Sequence, residues 1–419
     1  MLTDREKSFI QLQLALFSGY NINKDLPPNY ADLLLGRIEA SVTSFDQFGN
    51  HDLPPSPFSR SGFFLKPVIN QWLQERINED SIDPRNSPAE PLWPEGKKFT
   101  VCLTHDVDTV TLCLPAYWRM FKRFFRPLPK NRSEIMLNLE MSLKLAAASV
   151  AYCLPRRPQY CYFEPLLSIE KQYGFRSTFF FFPNMASRYH YLDFENYNYN
   201  DRVNFQGQMI TIAELMREID RRGWEIGLHG TYFSFDDAEE LKRQKEQLEY
   251  ALQKEILSIR QHILHFNITK TPRAQSQAGF KYDSTFGSNR MIGFRNGLAF
   301  PFYHYDLRDD SPLPLLQLPL HIQDFALLSP LGLGLSPRLA LVRAQEMIDK
   351  VEATGGLITL LWHPDKIDLR RFPGWLWVYE ELLRYIAQKE AWVAPIREIG
   401  DWWENRRDKI KVCCPEKRA

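Results

Sequence analysis

The stretch FTVCLTHDVD, residues 99–108, organises both the fold and the chemistry of this 419-residue chain. Its first part is mostly apolar and β-prone, which predicts a strand buried on both faces at Phe99–Leu103. In the extended chain that follows, Thr104, Asp106 and Asp108 point to the same side. Two carboxylates so close repel each other unless a cation or an arginine lies nearby. The stretch therefore indicates a site at a strand end, although a plain strand end with Asp108 capping the next segment would share the pattern.

Similar apolar runs alternate with amphipathic helices over the rest of the chain, which predicts an α/β fold. Their near-continuous hydrophobicity is typical of parallel strands buried on both faces. Polar side chains follow several runs directly, and barrels build their active sites at the C-terminal ends of strands. We therefore expect an α/β barrel in preference to a doubly wound sheet. The predicted strands are Phe99–Leu103, Ser177–Phe182, Glu225–Leu228, Ile259–His265, Leu315–His321, Leu357–Trp362 and Trp392–Pro395.

Sequence signals mark the starts of three helices between these strands. Thr211 and Glu214 form a capping box. Ser336 precedes a proline, which is favoured at the first helical position. Asp237 opens a strongly charged helix, whose charged side we assign to solvent.

Three regions lie outside the alternating pattern. Residues 1–95 are rich in turn and breaker residues and are expected to form an N-terminal appendage of short elements. Pro84–Gly96 is the predicted linker to a main domain at 96–405. Residues 110–160 form a predicted helical insert after the first strand, and 406–419 a charged tail.

The composition sets the outer limits on function. Hydrophobic residues make up 44% of the chain and charged residues 25%, as in an ordinary globular protein. The net charge of +1 gives no broad attraction to nucleic acid. Six cysteines without a CxxC pair indicate reduced thiols. Since the sequence shows neither a signal peptide nor a run of ~20 apolar residues, a cytoplasmic location is expected.

Four further strand ends carry side chains that can do chemistry. His229 lies in a loop between glycines, and imidazole is the commonest neutral ligand for zinc-like ions. Arg260 and His262 lie on one side of another strand. Asp283 adds a carboxylate, and His363 ends a buried strand before a proline. Packing explains each residue alone equally well, but their shared position at strand ends indicates one common site.

The order of these elements resembles the polysaccharide deacetylases of the NodB-homology group, carbohydrate esterase family 4, over about residues 98–400. The resemblance implies a distorted (β/α)7-type barrel and a metal-dependent reaction. It makes Asp106 the general base, His363 the general acid and Arg260 the residue that orients the base. Asp283 is matched to the carboxylate that tunes the acid.

The resemblance also implies two metal ligands, Asp108 and His229. The second motif of the family usually has another histidine four residues after the first, and here that position is Phe233. A zinc site needs about three protein ligands. We expect His262 to be the third ligand because it lies at another strand end and shares parity with Arg260.

Other residues remain open as the third ligand. His105 is less suited, because alternation along the strand turns it away from Asp106. The remaining alternatives are Tyr232, Ser234 and an additional water.

Three residues are expected to bind substrate, namely Tyr232, Arg295 and Trp362. Arg295 lies in the GFRNG segment, residues 293–297, which would line a sugar-binding groove or form a turn that needs its glycines. Trp362 precedes His363, and its ring suits stacking on a sugar as well as packing in a core.

The insert contains the basic and aromatic stretch WRMFKRFFR, residues 118–126. Such a stretch can lie on an anionic membrane surface through its cations. An extra helical layer packed on the barrel is the alternative. The cations concerned are Arg119, Lys122, Arg123 and Arg126.

Together these features predict a metal-dependent hydrolase, with zinc as cofactor. Its expected reaction removes N-acetyl groups from an amino sugar of a polysaccharide or of a lipid-linked precursor. Phe233 motivates a first alternative, a catalytically weak homologue that binds glycan without hydrolysing it. The second alternative is an amidase that acts on a small cyclic amide with the same scaffold.

Overall fold

The computed structural model of the chain describes residues 2–20, 22, 24–46, 48–51, 63–78, 91–110, 161–187, 193 and 197–413. The predicted insert lies outside the described residues apart from its first residue, and so does its basic stretch 118–126. The first part of the predicted linker, residues 84–90, lies outside them as well.

Each of the seven predicted runs overlaps one strand of the fold, although the predicted runs Ile259–His265 and Leu315–His321 extend four residues past the ends of their strands. The strands are β1 (Phe99–Val107), β2 (Thr178–Phe181), β3 (Arg202–Phe205), β4 (Gln208–Thr211), β5 (Glu225–Gly230), β6 (Ser258–Gln261), β7 (Tyr282–Asp283), β8 (Phe302–Asp306), β9 (Ser311–Gln317), β10 (Ile322–Gln323), β11 (Leu357–Leu361) and β12 (Ala391–Ala394).

Most strands of the described chain join one curled sheet. Its order is β10-β11-β1-β2-β5-β6-β7-β9-β8, and β12 pairs with β1 beside this path. Neighbouring strands are parallel except for β8 and β9. With helices between successive strands, this is a distorted (β/α) barrel, and the predicted fold class is confirmed. The two-residue strands β7 and β10 escape the prediction because they leave no periodicity to read.

Twelve α-helices are found among the described residues. They are Asp4–Ser18, Pro28–Leu34, Arg37–Ala40, Val68–Asn78, Phe163–Gln172, Ile212–Arg221, Ala238–Leu252, Thr271–Gln277, Asp324–Leu328, Pro337–Ala353, Trp375–Ala387 and Ile396–Cys413. Short 3₁₀ turns occur at Phe63–Leu65, Pro94–Gly96, Tyr232–Asp236, His262–Leu264 and Pro364–Lys366.

The three predicted helix starts are confirmed. Thr211 and Glu214 form the reciprocal capping box at the start of Ile212–Arg221. The Asp237 carboxylate accepts a hydrogen bond from the backbone N–H of Glu240 at 3.0 Å. The Ser336 hydroxyl caps the helix that starts at the following proline. These caps satisfy backbone N–H groups that have no partner inside the helix.

The N-terminal region is built into the main hydrophobic core and is not a separate appendage of short elements. Residues Asp4–Ser18 form a helix of 15 residues, which contradicts that prediction. The ring of Phe17 stacks on Phe300 of the barrel, with centroids 4.8 Å apart. The prediction was wrong because the prolines and glycines lie after this helix, whereas its own apolar residues are buried against the barrel.

The C-terminal region is also more ordered than a charged tail. The helix Ile396–Cys413 continues past Arg406, whose side chain is buried. The Arg406 Nε–H donates to the carbonyl oxygen of Leu16 at 2.9 Å. In the part of the chain that the structure describes, no helix is both long and apolar enough to cross a bilayer.

Candidate metal centre and catalytic residues

The carboxyl ends of the central strands lie side by side. β1 pairs with β11 on one side and with β2 on the other, and β5 and β6 continue the sheet beyond β2. Thr104 is in register with Leu361 of β11. His229 of β5 is in register with Arg260 of β6. Side chains at these strand ends therefore lie along one edge of the sheet, even where more than 250 positions separate them in the sequence, as they do Thr104 and Leu361.

The three expected metal ligands come together at this edge of the sheet. The Oδ1 atom of Asp108 lies 3.2 Å from the Nε2 atom of His229 and 3.9 Å from that of His262. One ligand atom from each residue lies within 4.8 Å of the other two. The structure thus contains a candidate three-residue metal site, and His262 occupies the third position.

Hydrogen bonds on the far side of each imidazole prepare it as a ligand. The Nδ1 atom of His229 lies 2.9 Å from the carbonyl oxygen of Arg260. The Nδ1 atom of His262 lies 3.1 Å from the carboxylate of Asp193. An acceptor at Nδ1 favours the proton there and leaves the Nε2 lone pair directed at the cluster.

Unsatisfied polar atoms support the fit of an ion to these ligands. Asp108 Oδ1 and His229 Nε2 are buried and have no hydrogen-bond partner of good geometry among the described residues. Buried polar atoms without a partner are costly. Burial alone would raise the pKa of Asp108, but the neighbouring histidines His229, His363 and His262 outweigh it and lower the pKa. A carboxylate with two imidazole nitrogens is a donor set that suits Zn²⁺.

Arg260 forms a buried ion pair with the carboxylate of Asp106. One guanidinium nitrogen lies 3.1 Å from Asp106 Oδ1 and donates to Thr104 Oγ1 at 2.8 Å. The other guanidinium N–H groups donate to the carbonyl and hydroxyl oxygens of Ser284 at 2.9 and 2.8 Å. Arg260 is fully buried, so its charge compensates that of Asp106 without screening by water.

The carboxylate beside His363 belongs to Asp324, and the prediction that Asp283 tunes this histidine is wrong. The Nδ1 atom of His363 lies 2.7 Å from Asp324 Oδ1, and its backbone N–H donates to Oδ2 at 2.7 Å. Burial alone would lower the pKa of His363, but the nearby carboxylates outweigh it and raise the pKa to about 9. The Nε2 atom of His363 lies 3.7 Å from Asp108 Oδ2 and so faces the candidate metal site.

Asp283 lies too far along the sheet to reach His363. It is on β7, whereas Asp324 follows β10, the strand next to β11. Gln275 and Thr285 donate hydrogen bonds to its Oδ1 at 3.0 and 2.5 Å. Burial raises the pKa of Asp283 to about 6. The sequence offered one signal for the correct residue, an aspartate three positions after the predicted strand that ends at His321.

Two of the three expected substrate residues are structural. The Arg295 guanidinium is buried and pairs with Glu39 at 2.6 Å, so it is not available to a groove. Trp362 is fully buried, with its ring centroid 5.4 Å from that of Tyr379. In both cases the alternative kept open in the sequence analysis, a turn or a core residue, is the correct one.

Tyr232, the third expected substrate residue, lies three positions after the candidate ligand His229. Its ring stacks on that of His265 with centroids 4.1 Å apart, and its backbone N–H donates to Asp193 at 2.8 Å. Phe233 packs edge-on against the Tyr232 ring at 5.2 Å. The residue that replaces the expected histidine therefore belongs to an aromatic group next to the site.

His105 is turned away from the metal ligands, as its parity predicts. Its Nδ1 atom lies 2.6 Å from the carbonyl oxygen of Trp362, and its Nε2 atom lies 2.6 Å from the carboxylate of Glu170. Tyr379 and Trp224 donate to the same carboxylate at 2.7 and 2.5 Å. This fully buried network, which the sequence analysis did not find, fixes the backbone immediately before His363.

The backbone after His262 adopts a strained conformation. Ile263 and Leu264 have φ values of 50° and 54°, and a β-branched residue rarely adopts positive φ. The side chain of Asn289 donates to the carbonyl oxygen of Ile263 at 2.5 Å. Asn50, from the N-terminal region, donates to the same oxygen at 3.4 Å and accepts from the backbone N–H of Phe266 at 2.8 Å. Two asparagines thus hold the turn that follows a candidate ligand.

Comparison with known proteins gives similarity only at the level of structure. No protein-family profile matches the chain, and no curated protein matches it. A protein from Mycobacterium smegmatis assigned as a polysaccharide deacetylase is 20% identical over 77% of this chain and 96% of that one, with a TM-score of 0.48. A Puue allantoinase is 14% identical over 76% of this chain and 94% of its own, with a TM-score of 0.48.

A third similar structure is a protein from Pseudomonas aeruginosa PAO1 assigned as a polysaccharide deacetylase. It is 15% identical over 76% of this chain and 95% of its own, with a TM-score of 0.47.

Proposed function

We propose that this protein is a metal-dependent hydrolase of the polysaccharide deacetylase type. Its proposed reaction removes N-acetyl groups from an amino sugar of a polysaccharide or of a lipid-linked precursor. The observation that carries the proposal is the convergence of Asp108, His229 and His262 between two further charged pairs. One pair is Asp106 with Arg260, and the other is His363 with Asp324.

Asp108, His229 and His262 are the residues that would hold the ion, and we propose zinc. A bound divalent ion supplies Lewis-acid activation of water and of a carbonyl oxygen. Hydrogen bonds within the chain fix the orientation of the two histidine rings, because the Nδ1 atoms of both face oxygen acceptors. A set of two imidazoles and one carboxylate leaves a position open for water or substrate, as catalytic zinc sites do.

The remaining groups divide the proton transfers between them. Asp106, held by Arg260, is placed to accept the proton of the attacking water. His363, held by Asp324, is placed to give a proton to the departing amine. Water adds to the acetyl carbon, the C–N bond breaks, and the products are acetate and a free amino sugar.

His262 favours hydrolysis over glycan binding alone. The argument for a weak homologue depends on Phe233, because it removes one expected ligand. The ligand atom of His262 lies within 4.8 Å of the ligand atoms of Asp108 and His229, and its Nδ1 atom lies 3.1 Å from the carboxylate of Asp193. That position supplies the donor that Phe233 lacks.

Metal content and acetate release measured on the same preparations test the proposal. Wild-type protein loaded with zinc is expected to bind about one ion per chain and to release acetate from N-acetylated chitooligosaccharides. Asp106→Asn should retain the ion and lose activity, whereas Asp108→Asn should lose both. Asp236→Asn, which alters an exposed aspartate outside the site, is the matched control.

Three outcomes would contradict the proposal in different ways. Undiminished acetate release in both variants would show that Asp106 is not the general base and that Asp108 is not a metal ligand. Stoichiometric zinc with glycan binding but without acetate release would identify a binding protein. Ring opening of a small cyclic amide, in place of acetate release, would identify the alternative amidase.

A further inference from the structure

A buried polar pair lies on the face of β1 that is turned away from the candidate site. The residues before it on this face are apolar and buried, namely Phe99, Val101 and Leu103. The next side chain is His105, whose Nε2 atom lies 2.6 Å from the Oε1 atom of Glu170. Both side chains are fully buried. Replacing such a buried pair by well-packed apolar residues often leaves stability unchanged or improves it, so packing does not explain the pair.

His105 connects the strands that carry the proposed base and the proposed acid. It directly precedes Asp106 in the sequence. Its Nδ1 atom lies 2.6 Å from the carbonyl oxygen of Trp362, the residue that directly precedes His363. A carbonyl oxygen only accepts hydrogen bonds, so the Nδ1 atom carries the proton and is the donor. One side chain thus bridges the residues next to both catalytic groups.

This bond continues the contact between β1 and β11 past their paired positions. The register of the two strands ends at Thr104 and Leu361. Beyond it, the backbone N–H of Trp362 donates to the carbonyl oxygen of Thr104 at 3.0 Å. The carbonyl group of Trp362 then accepts from the imidazole. His105 therefore joins the two strands at the residue that leads into His363.

Three further side chains bind the carboxylate of Glu170. It accepts hydrogen bonds from Tyr379 at 2.7 Å, from Ser177 at 2.8 Å and from Trp224 at 2.5 Å. Burial alone would raise the pKa of Glu170, but its hydrogen-bonded neighbours, foremost His105, outweigh burial and lower the pKa. Because both ring nitrogens of His105 have fixed partners, the ring is held in one orientation.

We propose that His105 and Glu170 are positioning residues that set the distance between the general base and the general acid. Both are fully buried and do not contact substrate, so they act through Asp106 and His363. A small change in the separation of these two groups lowers the rate of proton transfer, because each must lie within hydrogen-bond reach of its proton. The proposal rests on the proposed function, since Asp106 and His363 have these roles only in that reaction.

Two substitutions at His105 separate positioning from packing. In His105→Asn the amide N–H lies near the position of Nδ1 and can keep the bond to Trp362, although the smaller side chain leaves a gap. In His105→Leu apolar atoms fill the volume but cannot donate. With zinc-loaded protein, His105→Leu should lower kcat for acetate release about 10–100-fold at unchanged KM, whereas His105→Asn should lose much less. A role in packing alone would favour the leucine variant in both melting temperature and activity.

A double-mutant cycle tests whether Glu170 acts through His105. Glu170→Gln should lower kcat in the wild-type background and cause no further loss in the His105→Leu background. Bound zinc should remain at the wild-type level in every variant. Glu225→Gln is the matched control and should leave kcat unchanged. The Glu225 carboxylate, at the start of β5, accepts from Thr178 at 2.7 Å and from the backbone of Arg397 at 2.9 Å.

Histidine-selective ¹⁵N NMR gives a readout that does not require hydrolysis. The ring signals of His363, assigned with a His363→Gln variant, should change in His105→Leu, because the ring moves relative to Asp324. They should stay close to wild type in His105→Asn and in Glu225→Gln. Wild-type protein that releases no acetate contradicts the proposed function, whereas these signals still decide whether His105 positions His363.

Two results would overturn the proposal. One is a His105→Leu variant with the kcat of the wild type. The other is a loss of activity that follows melting temperature across His105→Leu, His105→Asn and Glu225→Gln while the ring signals of His363 stay unchanged. That second pattern would show that His105 and Glu170 only stabilise the fold.

Discussion

At the scale of single residues, the partner of His363 determines what that imidazole can do. Asp324 takes one hydrogen bond from the ring and one from the backbone of His363, both at 2.7 Å. Two bonds to one carboxylate fix the orientation of the ring as well as its charge. A histidine held in this way is suited to donate a proton to a leaving amine.

The first prediction at this scale concerns Asp324. In Asp324→Asn the ring of His363 loses its charged acceptor, so kcat for acetate release should fall about 10²–10⁴-fold. Bound zinc should stay unchanged, because Asp324 is not among the proposed ligands. Asp283→Asn is the matched control, since this buried carboxylate lies five strands from β11 and should change kcat little. Equal losses of activity in the two variants would contradict the assignment.

The second prediction concerns stability at acidic pH. Burial lowers the pKa values of both His304 and His321 from 6.5 to about 4. Below pH 6.5 the unfolded chain therefore binds protons that the folded chain does not, and the free energy of unfolding falls until about pH 4. Protonation of His321 in the folded state is unfavourable, because its Nδ1 atom accepts a hydrogen bond from the backbone N–H of Thr359 at 3.1 Å and protonation would break that bond.

Urea unfolding at pH 7 and pH 5 measures this effect. Wild-type protein should lose about 2 kcal/mol more stability over this interval than His321→Gln, since one histidine contributes ~1.4 kcal/mol per pH unit below 6.5. His304→Gln should show the same difference. If the variants and the wild type lose equal stability, these histidines do not cause acid sensitivity.

At the scale of secondary-structure elements, the end of β6 explains why the predicted strand is too long. The apolar run continues to His265, but the strand ends at Gln261 and a 3₁₀ turn with positive φ follows. This turn points His262 at Asp108 instead of continuing the ladder. Its strain persists because Asn289 and Asn50 bind the turn from two sides.

The third prediction concerns these two asparagines. Asn289→Ala and Asn50→Ala should each weaken zinc binding about 10-fold or more, because residues that support a ligand have effects of this size. Competition with a chromophoric chelator measures the affinity without any reliance on activity. Asn267→Ala, in the same loop region but bonded to Thr269 and Thr271, should leave the affinity unchanged. Wild-type zinc affinity in both Asn289→Ala and Asn50→Ala would rule out a positioning role for these two asparagines.

At the scale of the whole molecule, the N-terminal region and the barrel share one hydrophobic core. Besides the shared hydrophobic core, a buried ion pair joins Glu39 to Arg295, with both side chains almost fully covered. Arg295 also donates to the carbonyl oxygen of Gly287 at 2.6 Å. Removing one partner of such a pair leaves an uncompensated buried charge.

The fourth prediction tests this junction. Glu39→Ala should lower the free energy of unfolding by about 3–5 kcal/mol, because Arg295 stays buried without its partner. Glu390→Ala, which breaks the exposed pair with Lys98, should lower the free energy of unfolding far less than Glu39→Ala does. Chemical denaturation of both variants gives the comparison. A KM for substrate that rises in Arg295→Leu without loss of stability would instead support a substrate role for Arg295.

Local patterns in the sequence determined much of this protein. The buried run Phe99–Leu103 and the parity of Asp106 and Asp108 depend only on neighbouring residues and on the two-residue period of a strand. The helix caps at Thr211 and Ser336 likewise depend on residues within one turn. Because parallel strands bring their carboxyl ends to one edge, the position after a strand was enough to predict that Asp106, Asp108, His229, Arg260, His262 and His363 lie near one another.

The tertiary structure decided the features that depend on strand order and on contacts between distant segments. Asp324 and not Asp283 meets His363, because the two-residue strand β10 lies next to β11. Arg295 is engaged by Glu39, 256 positions away, and the turn after His262 is held by Asn50, more than 200 positions away. No local period encodes such pairings, since they follow from how the folded sheet brings remote segments into contact.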